Sequence, residues 1–280
     1  MRHARVGGWL AVTAMVAWVL AGTAPRGAPS VQSATAPALT PAQMAEFLRT
    51  ASVVASAALS TGVTKPRKLT LSAGEITHNA VFQGIDERVP IQRMKDGRTE
   101  LNFRDSYHFN IAAYGLAQLL GLDNMVPVTV ERTWEGRPGS LAWWIDAKWD
   151  ETARSRENAL PPDGVDWAKQ QSRMRVFSEL VYDTDRNTGN LLITEDWHLW
   201  MIDFTRAFRL SNSLLRPENV QRCSRDLLAR LQALTEESVA RATKPHLEPG
   251  EVKALLKRRD RIVARLEQLV KQRGEQLVLF

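Results

Sequence analysis

Five side chains suited to phosphate or metal chemistry fall in one stretch, Tyr182 to Phe208, with the sequence YDTDRNTGNLLITEDWHLWMIDFTRAF. Asp183, Asp185, Asn187, Asn190 and Asp203 lie between a helical pattern and two short apolar runs, Leu191–Ile193 and Leu199–Ile202. Acids on an open loop stay solvated, whereas acids at the mouths of regular elements can converge. Asp203 follows Trp200-Met201-Ile202, so its backbone is semi-buried and its carboxylate needs a metal or a donor. The D-x-D-x-N run matches the opening of a calcium loop. The register then fails, because Gly189 and Glu195 each come one place late and a strand pattern follows where a helix is needed. Phosphoryl transfer fits better. It needs acceptor and metal ligands within a few ångströms of one phosphate, and one loop plus one strand end supplies them.

Asp185-Arg186-Asn187-Thr188-Gly189-Asn190, a short strand pair, then Ile202-Asp203-Phe204 resembles the catalytic and metal-binding segments of the protein-kinase-like superfamily. The D-R-x-x-G-N and I-D-F forms are most similar to the phosphatidylinositol 3-/4-kinase-like and secretory-pathway casein-kinase-like groups, and more locally to exported bacterial members. The resemblance implies an α+β, two-lobed protein-kinase-like fold with a strand-rich N-lobe and a helical C-lobe. It implies Asp185 as catalytic base, Asn190 and Asp203 as Mg2+ ligands, and ATP as donor or ligand. It also places Leu141, Trp143 and Ile145 in a hinge against adenine.

Two positions depart from the pattern. Gln83 stands where the strand lysine belongs and Asn110 where the helix glutamate belongs, so the nucleotide-binding pair is rewritten as amides. Such a pair keeps a hydrogen bond and removes a cation from the phosphates. The phosphate-side hairpin also has a single glycine, Gly74. Arg186 and Arg206 are candidates for substrate or phosphate contact. Arg206 equally suits an ion pair with a loop carboxylate such as Asp183, and Arg186 a surface contact. Three readings stay open: a phosphotransferase acting on a protein, lipid or small molecule, a catalytically degenerate pseudokinase-type binding or scaffold module, and a calcium-binding exported protein.

The elements around this segment follow from periodicity and punctuation. Thr40-Pro41-Ala42-Gln43 starts a helix expected to run to about Thr61. Arg67 to Gln83, broken at Ala73-Gly74, has the alternation of a β-hairpin. Val89 to Glu100 is charged and broken by Pro90 and Gly97, so a loop is expected. Phe109, Ala113, Leu116 and Leu120 share a helix face that Gly121 ends. Val126–Thr133 and Ser140–Ala147 are expected strands, and Pro161-Pro162 closes a linker before a helix marked by Trp167, Met174, Phe177 and Val181. Three helical segments are expected from about Pro217, Thr235 and Pro249, with Cys223 inside the first. On the last, Leu255, Ile262, Leu266 and Leu269 face inward, while Lys257, Arg258, Arg261 and Arg265 face away. Trp143, Trp144, Trp197 and Trp200 suit core packing better than carbohydrate binding.

Composition bounds the rest. In 280 residues, 37 Lys and Arg stand against 31 acids, a net charge of +6 that is too diffuse for a nucleic-acid partner. One cysteine excludes an intrachain disulfide and a cysteine zinc site. Arg2 and Arg5 precede an uncharged run from Val6 to Pro25, and Pro25–Leu39 is a Pro/Ala/Ser linker. Residues 1–24 are therefore expected to be a signal peptide or N-terminal membrane anchor, 25–39 a linker, and 40–280 one kinase-like domain (N-lobe about 63–147, C-lobe about 164–280). The body is expected to be exported, periplasmic or extracellular, with the N-terminal segment as a tether where it is not cleaved. There it would use a donor other than ATP, bind nucleotide without turnover, or put the cleft to another use.

Overall fold

The structure, a computed structural model, describes residues 39–59, 65–93, 97 and 99–280. The expected leader (1–24) and nearly all of the linker (25–39) lie outside the described residues. No helix among the described residues is long and apolar enough to cross a membrane.

Helix α1 (Pro41–Thr50) begins as expected, with Thr40 and Gln43 capping each other reciprocally. It ends eleven residues before the expected Thr61. The Arg132 guanidinium forks onto the carbonyls of Leu48 and Ala51, both at 2.7 Å, and satisfies the helix end. The chain then enters strand β1 (Ser52–Ala58), which pairs antiparallel with β2 (Arg67–Ala73). β2 and β3 (Ile76–Gln83) form the expected hairpin, turning at Gly74 with φ 59°.

Residues expected to be a loop form a second hairpin, β4 (Asp86–Arg93) and β5 (Thr99–Ser106). One face carries Val89, Ile91, Leu101 and Phe103 in register, an alternation that Pro90 and the charged neighbours obscure, and Ile91 and Leu101 stay exposed. Helix α2 (His108–Leu120) follows and ends at left-handed Gly121. β6 (Thr129–Trp134) and β7 (Arg137–Trp143) are joined by a two-residue turn, Glu135-Gly136, both with positive φ. The main sheet is antiparallel, in the order β1-β2-β3-β7-β6. Its inner face (Leu69, Leu71, Phe82, Leu141) packs on Phe109, Leu116 and Leu120 of α2, all buried, at roughly 1.5–3 kcal/mol for each large apolar side chain.

The expected linker carries β8 (Trp149–Asp150) and a short helix α3 (Glu151–Arg156) capped by Asp150. Helix α4 (Trp167–Val181) ends at Tyr182 in the left-handed region. β9 (Leu191–Ile193) and β10 (Leu199–Met201) complete a small sheet, β10-β9-β8. The rest is helical: α5 (Arg225–Ala233), α6 (Glu236–Thr243), α7 (Pro249–Arg273) and α8 (Glu275–Val278). Pro217 begins a single 3-10 turn, Pro217–Asn219, and Cys223 precedes α5, buried beside Leu279 in an isolated bridge. On α7 the apolar face is inward as expected, but Arg258 is buried with it. α2 crosses α6 at Gly115, where a Cβ would stand 2.2 Å from the Ala242 carbonyl oxygen.

Candidate active site

A cleft of about 1260 Å3 is lined by the hairpin β2–β3, the stretch after β7 and the segment 185–206. The turn after α4 is built around one buried ion pair, Arg186 to Asp183 at 2.5 Å. Arg186 also donates to the carbonyls of Asn190 (2.8 Å) and Ile202 (2.7 Å), and its guanidinium lies over the Phe204 ring. It therefore ties both ends of the β9–β10 hairpin to the turn that carries Asp185. The residue expected at a substrate or on the surface is committed to the interior instead. Removing one partner of such a buried pair costs about 3–5 kcal/mol, because the other charge is stranded.

Asp185, Asn190 and Asp203 all line the cleft. The Asn190 amide donates to the Asp185 carbonyl at 3.1 Å, fixing the spacing across the 3-10 turn Thr188–Asn190. Asp203 has φ 55°, a left-handed conformation that Asp tolerates better than most residues and that side chains hold only when their surroundings impose it. Its Oδ1 accepts from Gln83 Nε2 (3.3 Å) and Thr205 Oγ1 (3.1 Å). Phe204 turns the other way, into the core against Phe177.

Gln83 and Asn110 meet as the sequence suggested. Asn110 Nδ2 donates to Gln83 Oε1 at 2.6 Å and to Ser140 Oγ at 3.0 Å, and Asn110 Oδ1 accepts from the Phe204 N–H at 2.7 Å. The amide pair thus links β3, α2 and the residue after Asp203. Lys68 also lines the cleft, with its ammonium 4.1 Å from the Trp144 ring centroid.

Of the three expected hinge residues, Trp143 and Ile145 line the cleft and Leu141 does not. Side chains alternate along β7, so Leu141 points into the core beside Phe82 while Ala142 takes the cleft side. Trp143 is held by a stacked His78 ring at 3.7 Å and by Phe47. Arg206 lines the cleft, but its carboxylate partner is Glu100 (2.6 Å) rather than Asp183, and Arg209 shares that carboxylate at 2.8 Å. Glu100 reaches them from the unforeseen hairpin.

That hairpin also delivers Asp105, a cleft residue the sequence did not single out. Burial pushes its carboxyl above the usual range, with Thr205 opposing and the Asp203 charge adding to the shift. Its Oδ1 is buried and has no hydrogen-bond partner. An orphaned carboxylate oxygen near Asp203, in the cleft that Asn190 also lines, fits a hard divalent ion, which takes oxygen ligands from acids and amides. The sequence signal is the alternation of Leu101 and Phe103 in a strand over Thr99–Ser106, hidden by the charged residues around it.

No protein-family model and no curated protein matches the chain. Among solved structures, hydra Fam20 with sugar aligns at TM-score 0.62 and 14% identity, covering 85% of this chain and 91% of that one. The golgi casein kinase aligns at TM-score 0.59 and 13% identity, covering 85% and 78%, and its Mn/ADP-bound form at 0.59 and 12%, covering 85% and 78%. With its antiparallel strand-rich first part and helical second part, this chain has the protein-kinase-like fold.

Proposed function

We propose that the chain binds a nucleoside triphosphate with a divalent ion in this cleft and transfers the terminal phosphoryl group to a hydroxyl acceptor. The observation that carries the reading is the convergence of Asp185, Asn190 and Asp203 on one cleft wall, with Asp203 held by Gln83 at a left-handed turn. The kinase-like fold and a neighbour solved with Mn/ADP support it. Asp203, Asn190 and Asp105 would hold the ion, and an ion there would neutralise charge on the phosphates. Asp185 would take the acceptor hydroxyl proton as the new O–P bond forms and the bond to the nucleoside diphosphate breaks, the electron pair leaving on the diphosphate oxygen.

A second reading rests on the Gln83–Asn110 pair. With amides in place of the lysine and glutamate, nucleotide would bind without efficient turnover, and the cleft would serve a pseudokinase-type binding or scaffold role. The two readings separate in one set of measurements on the purified protein. ATP with Mg2+ or Mn2+ should raise the melting temperature, and Asp203→Asn should abolish the rise. Transfer of labelled γ-phosphate to protein, lipid or water should fall roughly 100-fold or more in Asp185→Asn while binding persists. Binding with no transfer establishes the scaffold reading, and no thermal response to any nucleotide–metal pair overturns both.

A further inference from the structure

On the far side of α2 from the amide pair, two histidines and a glutamate meet without a role in the cleft. One ligand atom from each of His108, Glu131 and His246 lies within 4.8 Å of the other two. His108 is the first residue of α2, Glu131 lies on β6, and His246 lies between α6 and α7. The Nδ1 atoms of the two histidines are 2.9 Å apart. Two nitrogens so spaced, each about 2.0–2.1 Å from a shared ion, subtend about 90°, and opening them by roughly half an ångström gives a tetrahedral angle.

The surroundings prepare these groups as ligands. Tyr107 Oη donates to Glu131 Oε1 at 3.0 Å, which orients the carboxylate. Asp86 Oδ2 lies 4.0 Å from His108 Nε2, and Ser106 Oγ holds the other oxygen of Asp86 at 2.7 Å. The tautomer of His108 with its proton on Nε2, the side of Asp86, leaves the Nδ1 lone pair for an ion. His246 is buried, while Glu131 is solvent-exposed and leaves a path of entry. Two imidazoles and one carboxylate with a free fourth position form a donor set suited to zinc.

We propose that His108, Glu131 and His246 form a zinc-class divalent cation site that fastens the start of α2 and strand β6 to the α6–α7 connection. The ion would join the strand-rich and helical parts of the fold at the base of the helix that carries Asn110. The proposal shares no residue with the cleft and stands apart from the proposed function.

The test uses the untagged full-length chain, stripped with chelator and titrated with Zn2+. We expect one ion per chain by mass spectrometry and a melting rise of about 5–10 °C at a hundredfold excess over Kd. The rise should be lost in His246→Gln and in Glu131→Gln and kept in Asp203→Asn. No rise overturns the proposal, as does a rise that survives both site variants or disappears only in Asp203→Asn, which would assign the ion to the cleft. Should the site variants fail to fold, Co2+ on the wild-type chain decides. An intense visible band of four-coordinate cobalt, displaced by Zn2+, supports the site, and its absence overturns it.

Discussion

Asn110 accepts a hydrogen bond at 2.7 Å from the backbone N–H of Phe204, so helix α2 is latched to the residue directly after Asp203. The same side chain donates to Gln83 and Ser140, so one buried amide sets the distance between β3, β7, α2 and the cleft acid. In the kinase pattern an ion pair holds the helix against the phosphate side. Here a neutral network makes the connection without supplying a cation.

Asn110→Ala should destabilise the fold by about 2–4 kcal/mol, since it strands the Phe204 N–H and the Gln83 carbonyl oxygen in a buried setting. Urea unfolding measures it directly. A loss below about 1 kcal/mol would mean that water or a relaxed Ser140 takes over the orphaned groups.

Restoring the charged pair tests whether the amides limit nucleotide binding. Gln83→Lys alone places an ammonium in a buried network and against Asp203, which should lower stability and divalent affinity together. Gln83→Lys with Asn110→Glu supplies the partner, and ATP–Mg affinity by calorimetry should then exceed wild type by roughly tenfold, the gain of a charge-assisted bond over a neutral one. An unchanged affinity in a folded double variant would show that Lys68 already provides the needed charge.

The legible parts of this fold were those whose signal is local. Hairpin β2–β3 shows in alternation around Gly74, α2 in its apolar face and Gly121, and the Asp185–Asn190–Asp203 set in nineteen consecutive residues. What stayed hidden depends on distant partners. α1 stops at Thr50 because Arg132, far along the chain, takes its last carbonyls. The β4–β5 hairpin alternates only at Val89, Ile91, Leu101 and Phe103, among charged residues and Pro90, so Asp105 and Glu100 could not be placed at the cleft. Leu141 falls inside the run that the resemblance places against adenine, but a run taken as a whole carries no facing, and in β7 Leu141 pairs with Phe82 on the core side.

Asp105→Asn should make the free protein more stable at neutral pH and weaken its hold on divalent ions. Burial raises the Asp105 pKa above the unfolded value of 3.8, so the folded state keeps the proton longer. Stability from this group therefore falls as pH rises from 3.8 through the folded pKa, and above that the cost is fully present. The asparagine removes the cost. Its melting temperature should exceed wild type at pH 7 and converge with it near pH 3.8 and below, while Mn2+ affinity drops. A variant less stable than wild type at pH 7 would mean that the carboxylate is held by favourable contacts rather than left orphaned.

Arg258 offers the sharpest contrast between helical pattern and tertiary demand. It falls among Lys257, Arg261 and Arg265 on a basic stretch of α7, yet it is fully buried. Its Nε donates to the Leu180 carbonyl at 2.8 Å, near the end of α4, and its Nη1 to the carbonyls of Arg209 (2.8 Å) and Ser211 (2.6 Å). Burial draws its pKa down to about 10, so at neutral pH it stays charged and carries the full desolvation cost. Arg258→Met keeps much of the volume but removes every donor, leaving three carbonyls without their partner, and should cost about 3–5 kcal/mol. Arg258→Lys should recover only part of the loss, because an ammonium cannot reproduce the fork that spans two segments. Equal stability of the methionine variant and wild type would show that α7 is held by its apolar face alone. A graded order of wild type, lysine and methionine would show that the guanidinium pins the segment leaving the cleft to the helical core.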